Sequence, residues 1–251
     1  MLGSRAGRGP GTRGERAPGA DRVRVWRIDL DAVMERSAAP LRAALSPEER
    51  LRSSRMRDPV LRGRFEAARG AARHILGRYV GRPPARLAWH TGRWGKPWIA
   101  GHEDTVRFNL SHCDGHALLA VTGPRDIGVD LERVRPGGDV VALSRRYFPA
   151  EESSLVADAL EARRPDVFLT LWARKEACTK AAGASLLGHG LRLLVSAPPV
   201  GGGAVLAHDP TRRLPGRWLV HDVPAPAGHG AAVALDGAEP AHLTIRQWEP
   251  Q

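Results

Sequence analysis

From Val23 to Leu30 the segment DRVRVWRIDLD alternates apolar and polar residues, the period-two pattern of a strand. LSPEERLRSSRM then reads as a helix start: Ser46 is the N-cap, Pro47 the first helical position, and Glu49 follows the cap by three. Between Val60 and Val80, the residues Leu61, Phe65, Ala68, Ala72, Ile75, Leu76 and Tyr79 recur at helical spacing. This predicts a long amphipathic helix with an arginine-laden outer side, ended by GRPP. RLAWHTGRWGKPWI follows as a strand turning at GKP. TVRFNLSH, HALLAVTG and DIGVDLE are three short strands in close succession, which predict a small sheet.

The second half repeats that plan. A helix over about 139–147, a second starting at Pro149 in FPAEESSLVADAL and a third in PDVFLTLWARKEACTKAAG lead to strands near LRLLVS, GRWLVHDV, HGAAVAL and HLTIRQWE. SAPPVGGGAV reads as a loop. The expectation is an α+β fold of two similar subdomains, each a long helix packed on a small antiparallel sheet. Residues 21–124 form the first and 125–248 the second, with the boundary near TGPRD. Residues 1–20 are Gly/Arg/Pro-rich and are expected to be a disordered leader.

The chain's 251 residues suffice for a good core. No stretch has the apolar length to span a bilayer and no signal-like apolar region is present, so the expected location is cytoplasmic. Cys113 and Cys178 are too few and too far apart to predict a disulfide framework or a zinc site. The formal charge of +11 is unevenly placed: residues 41–100 hold 14 Lys and Arg against 4 acids, whereas residues 101–251 hold 16 against 18. A basic segment of this kind suits nucleic acid or a phosphorylated small molecule. Sparse aromatics in that segment and the lack of a zinc-finger or RNA-recognition signature argue against nucleic acid.

The candidate chemistry begins in RDIGVDLERV, where Asp130 and Glu132 are two apart and so share one face of a strand. That pair fits either a solvated outer face or a divalent-cation site. In LWARKEACTK, Trp172, Glu176 and Lys180 are each four apart and form a single helical stripe. Taken alone the stripe is a core Trp beside an exposed ion pair; taken with Asp130 and Glu132, Glu176 becomes a third acid.

GVDLE followed some 40 residues later by WARKEACTK resembles the surfactin-synthetase-type 4′-phosphopantetheinyl transferases. RWGKPWI, FNLSHCDGHALLAV and RYFPAEE fall in the family's order, and the likeness runs over about 22–195. The resemblance implies two pseudo-symmetric subdomains with coenzyme A and Mg²⁺ (Mn²⁺ as an alternative ion) at their junction. The implied reaction moves phosphopantetheine from coenzyme A to a serine of an apo acyl or peptidyl carrier protein, in fatty-acid, polyketide or nonribosomal peptide assembly. It further implies that Asp130, Glu132 and Glu176 hold the metal, with Glu176 also the base. Lys175 and Lys180 would meet phosphate oxygens, His112 a phosphate, Arg52 and Arg64 the 3′-phosphate, Lys96 and Pro97 the adenine side, and Ser111 the nucleotide. Three positions depart from the pattern: Glu49 where some relatives carry Lys, Cys113 where Ser is frequent, and AAGASLLGHGL after Lys180. The internal duplication predicts a monomer. The competing expectations are an arginine-rich nucleic-acid-binding protein and an acyltransferase that uses coenzyme A as acyl donor.

Overall fold

The first strand, β1 (Arg22–Asp29), buries both of its faces: Val23 and Val25 enter one hydrophobic cluster, Trp26 and Ile28 another. It is therefore an interior element, and the rest of the fold is arranged on either side of it. The computed structural model describes residues 17–134, 137–185, 190–196, 203–214 and 216–250.

Helix α1 (Leu30–Ala43) follows β1 directly, with Asp29 as its N-cap. Its apolar period is broken by Pro40 and by a non-helical Ser37, which explains why no helix is predicted there. α2 (Pro47–Ser54) begins with the expected capping box between Ser46 and Glu49. α3 (Pro59–Val80) packs Ala68, Ala72, Ile75 and Leu76 against Trp26, Ile28, Phe108 and Leu119 of the sheet. β2 (Trp89–Thr91) and β3 (Pro97–Ile99) form a hairpin of their own. β4 (Arg107–Cys113) and β5 (His116–Thr122) pair antiparallel. β6 (Ile127–Arg133) opens the second sheet, so the three successive strands of the sequence divide between two sheets.

In the second half, α4 (Val140–Tyr147), α5 (Ala150–Asp158) and α6 (Arg164–Ala181) precede β7 (Val205–His208), β8 (Arg217–Asp222), β9 (His229–Asp236) and β10 (His242–Gln247). The second sheet has the order β6-β9-β8-β7 and is antiparallel. α6 covers it, burying Phe168, Leu171, Ala177 and Ala181 against Val220, Ala232 and Ala234. The two sheet faces turned away from α3 and α6 close on one another through Val23, Val25, Leu118, Ala120, Val129, Leu131, Val233 and Leu235. The layers run helix, sheet, sheet, helix, an α+β architecture.

The last strand does not stay with the second half. β10 pairs in parallel with β1, giving the first sheet the order β10-β1-β5-β4 and one parallel pair. Trp248, just beyond it, is buried in the α3 core. A segment bounded at 248 is thus not self-contained, because its final strand completes the other sheet. Three further expectations are corrected. LRLLVS holds a short 3₁₀ turn and one isolated bridge at Leu194 instead of a strand, and β7, a strand not predicted, starts at the last residue of the expected loop, Val205. Residues 1–16 of the expected leader lie outside the described residues, but Ala17 packs on the first core and Gly19 accepts a hydrogen bond from Thr122 Oγ1. The outer side of α3 is not simply solvated: Arg73 is buried and bonded to Glu49, Pro84 and Leu87.

α6 approaches its sheet closely because two positions lack a side chain. A Cβ on Gly128 of β6 would overlap the Ala177 carbonyl oxygen and lie 2.5 Å from the Ala181 nitrogen. One on Gly230 of β9 would lie 2.8 Å from the backbone oxygen of Leu169. Backbone cannot swing aside as a flexible side chain can, so Gly128→Ala is expected to destabilise the protein by about 3 kcal/mol, at the upper end for overpacking. Its urea midpoint should fall well below that of the parent; an unchanged midpoint would contradict the close packing of α6 on β6.

Candidate active site

The edges of the two sheets meet along β4 and β6, where side chains replace a backbone ladder. The Asn109 side-chain oxygen accepts from Val129 N at 3.0 Å, and Ser111 Oγ accepts from Leu131 N at 3.3 Å. Asn109 and Ser111 sit on one face of β4 by strand alternation. On β6, Val129 and Leu131 enter the core between the sheets, so Gly128, Asp130 and Glu132 face α6. The last turns of α6 carry Glu176 and Lys180 to the same place, one turn apart.

Lys180 Nζ lies 2.5 Å from Asp130 Oδ1 and donates to Ser111 Oγ at 3.2 Å. Asp130 is fully buried, and its other oxygen, Oδ2, has no hydrogen-bond partner. Burial, opposed by Lys180, raises the Asp130 carboxyl above its ordinary range. Burial and then the Asp130 charge raise Glu132. Glu176 is pushed up to about 7, by burial first and then by Asp130 and Glu132. Burial works against the Lys180 ammonium, but Asp130, Glu176 and Glu132 outweigh it and the net shift is upward. Three acids thus share one short cation, and each is harder to ionise than it would be in water.

These acids share a cleft without already forming a chelate. Among the described residues, the set of three acid, His or Cys ligand atoms lying within 4.8 Å of one another is Cys113, Asp114 and His229. The oxygens of Asp130, Glu132 and Glu176 are more widely spread, as uncompensated like charges would be. Even so, the donor set fits a hard divalent cation: all oxygen, with a buried carboxylate oxygen that nothing else satisfies.

The remaining predicted residues divide into two groups. His112 ends β4 on the α3 side, its residue open to solvent but its ring partly shielded by neighbouring atoms; that shielding and then the charges of Lys180, Arg52 and Arg69 push its imidazole below the usual range. Arg52 is exposed, its guanidinium 5.0 Å from the Phe65 ring. Of these two, Arg52 carries the positive charge, and the lowered His112 imidazole is a neutral hydrogen-bonding group at neutral pH. The others are engaged within the protein. Lys175 is fully buried on the far side of α6, 2.5 Å from Glu152 and donating to the Leu193 carbonyl, so it does not face the cleft as predicted. One residue along a helix is a 100° turn, which separates Lys175 from Glu176. Arg64 makes a bidentate pair with Asp31 at 2.8 Å, committing the predicted phosphate anchor. Lys96 reaches the second half, bonding the Ala181 carbonyl and lying 2.6 Å from Asp126, while Pro97 is buried in β3. Ser111 serves the seam rather than an open surface.

Sequence reasoning passed over Arg69. Its guanidinium stacks 4.0 Å from the Trp89 ring, lies 2.9 Å from Glu49 and is close enough to His112 to shift it. Its one sequence signal is its place four residues before Arg73 on α3. Glu49, the position noted as departing from the pattern, is the buried counter-ion of both arginines.

Residues 126–232, which span both β6 and α6, match the 4′-phosphopantetheinyl transferase superfamily model. The chain is also 39% identical over 166 residues to the 4′-phosphopantetheinyl transferase HetI of a Nostoc species, covering 65% of this chain and 70% of that one. The chain belongs to the 4′-phosphopantetheinyl transferase family. This transferase is likewise 30% identical to the 4′-phosphopantetheinyl transferase AcpT of Escherichia coli, over 64% of its own length and 75% of that protein. It is 28% identical to the L-aminoadipate-semialdehyde dehydrogenase-phosphopantetheinyl transferase of Xenopus laevis, over 49% and 47% of the two chains. Among its described residues, no helix is long and apolar enough to cross a membrane.

The raised acids fix the sign of a pH effect in the metal-free transferase. A carboxyl whose folded value lies above its unfolded one binds more protons folded than unfolded, so stability falls as pH rises through the interval between them. For Glu176 that interval runs from the ordinary value of 4.5 to about 7. In EDTA the melting temperature should therefore drop between pH 5 and pH 8, roughly the span over which these groups ionise. Glu176→Gln should flatten that drop. A profile for the variant as steep as the parent's would show that Glu176 is not held among like charges.

Proposed function

We propose that the protein transfers 4′-phosphopantetheine from coenzyme A to a serine hydroxyl of an apo carrier protein, with Mg²⁺ in the acid cleft. The observation that carries this reading is the buried Asp130, half-satisfied by Lys180 and facing Glu132 and Glu176 at the seam of the two halves. Asp130, Glu132 and Glu176 would hold the ion. When bound, it would neutralise the pyrophosphate and polarise the phosphorus under attack.

The chain's own residues supply the rest. Glu176 takes the proton of the incoming serine hydroxyl. The serine oxygen forms a bond to the phosphorus that bears the pantetheine arm, and the bond from that phosphorus to the bridging oxygen breaks. Adenosine 3′,5′-bisphosphate leaves with the bridging oxygen. Lys180, fixed by Asp130 and Ser111, stabilises the charge on the phosphate oxygens. Arg52 supplies positive charge to the nucleotide side and His112 a hydrogen bond to a phosphate oxygen, while Arg64 and Lys175, paired with Asp31 and Glu152, drop out of the expected contacts. Lys96 acts indirectly, by fixing the end of α6. Carrier proteins of polyketide, nonribosomal peptide or fatty-acid assembly are the proposed clients, and a cytoplasmic monomer is the proposed working form. A nucleic-acid role draws no support, since Arg64, Arg69 and Arg73 of α3 are engaged by Asp31 and Glu49 and do not form a free basic stripe.

Mass spectrometry of apo carrier proteins incubated with enzyme, coenzyme A and Mg²⁺ tests this directly. The parent should add the mass of one phosphopantetheine group, and EDTA should prevent it. Glu176→Ala should slow the modification by about 10²–10⁴-fold, the span for loss of a general base. Full retention of activity in that variant would overturn the assignment of the cleft.

A further inference from the structure

A second group of ligating side chains lies on the opposite face of β6 from the acids. β4 ends at Cys113, and Asp114 follows in a left-handed turn with φ of 51°. His229 begins β9, opposite Arg133 in the strand register. One ligand atom from each of Cys113, Asp114 and His229 falls within 4.8 Å of the other two. We infer that Cys113, Asp114 and His229 form a binding site for a zinc-class transition metal, distinct from the acid cleft.

Two observations carry this beyond proximity. The His229 side chain is only 7% exposed, and its Nε2 is buried without a hydrogen-bond partner, 3.6 Å from Asp114 Oδ2. A buried ring nitrogen aimed at a carboxylate and a thiol is a ligand position lacking its ligand. The ring orientation is also set from behind, by the contact of Nδ1 with the Ala227 carbonyl at 3.1 Å, an arrangement that presents Nε2 as the donor to a metal. The donor set of thiolate, imidazole and carboxylate selects Zn²⁺ and its neighbours over Mg²⁺.

Binding requires small adjustments. Ligand atoms around a tetrahedral zinc stand about 3.3–3.8 Å apart, so the three side chains must close in slightly. Asp114 also lies 2.7 Å from Arg133 Nη1, and that pair can persist on one oxygen while the other turns to the metal. The Cys113 S–H bond breaks, its proton passes to solvent, and the sulfur–metal bond forms in its place. Water fills the fourth position. Because Cys113 and Asp114 belong to the first sheet's hairpin and His229 to the second sheet, the ion would staple the two halves beside Arg133. Chain spacing does not show this site, since two ligands come from one turn and the third from a strand far along the chain.

Co²⁺ titration of the full, reduced chain in excess Mg²⁺ tests the inference, with Mg²⁺ keeping hard-oxygen sites filled. The expected result is one equivalent of Co²⁺ with tetrahedral visible bands and a thiolate-to-cobalt charge-transfer band, displaced by Zn²⁺. Cys178 is fully buried in the α6 core, so the band reports Cys113. Cys113→Ser should abolish the band, His229→Gln should weaken binding at least tenfold, and Zn²⁺ should raise the melting temperature of the parent but not of Cys113→Ser. A thiolate band that is missing in the parent, or that survives in Cys113→Ser, would overturn the site. Loss of phosphopantetheinyl transfer would leave these readouts untouched, so the two readings fail separately.

Discussion

The Lys180–Asp130 pair is the contact around which the centre of the molecule is organised. Asp130 lies on a strand with no solvent access, and an ion buried without a partner costs several kcal/mol. Its partner comes from α6, so α6 must lie close enough for a lysine in its last turn to reach 2.5 Å. The absence of side chains at Gly128 and Gly230 permits that approach. Lys96 holds the end of the same helix by bonding the Ala181 carbonyl and pairing with Asp126. Ser111 extends the arrangement across the seam by accepting from both Lys180 and Leu131. A helix, two sheets and a hairpin, packed by their apolar faces, thus converge on one carboxylate.

That neutralisation is incomplete, and the incompleteness is what makes the cleft chemically useful. Lys180 satisfies one oxygen of Asp130 and leaves the other bare, while Glu132 and Glu176 add charge that one ammonium cannot balance. The shifts of all three acids express the same deficit of positive charge. A divalent cation with oxygen ligands would remove it and draw the carboxylates inward from their present spread. Away from the acids, the exposed Arg52 guanidinium is an available positive charge, close enough to His112 to help keep its imidazole neutral. An acid pole near an exposed guanidinium is suited to a substrate that needs a cation at one phosphate pair and a direct contact at another.

Much of this was legible from local periodicity. The two-residue interval between Asp130 and Glu132 and the four-residue interval between Glu176 and Lys180 state which side chains share a face, and those faces do meet. Periodicity does not state which face a neighbouring charge takes. Lys175 reads as a phosphate ligand beside Glu176, yet it turns into the core because Glu152 of α5 waits there, a partner 23 positions earlier in the chain. Arg64 and Asp31 are equally invisible as a pair, and Glu49 reads as a departure from pattern until Arg69 and Arg73 converge on it. The same limit governs the fold. α1 is hidden by Pro40, and β10 joins β1 by a parallel pairing that spans nearly the whole chain.

The most direct test is metal binding itself. Electron paramagnetic resonance of Mn²⁺ with the parent protein and coenzyme A should show one tightly held ion per chain, and a folded Asp130→Asn protein should hold it at least tenfold more weakly. Equal Mn²⁺ affinity in the two proteins would mean that the bare oxygen of Asp130 serves no cation, and the cleft would need another explanation.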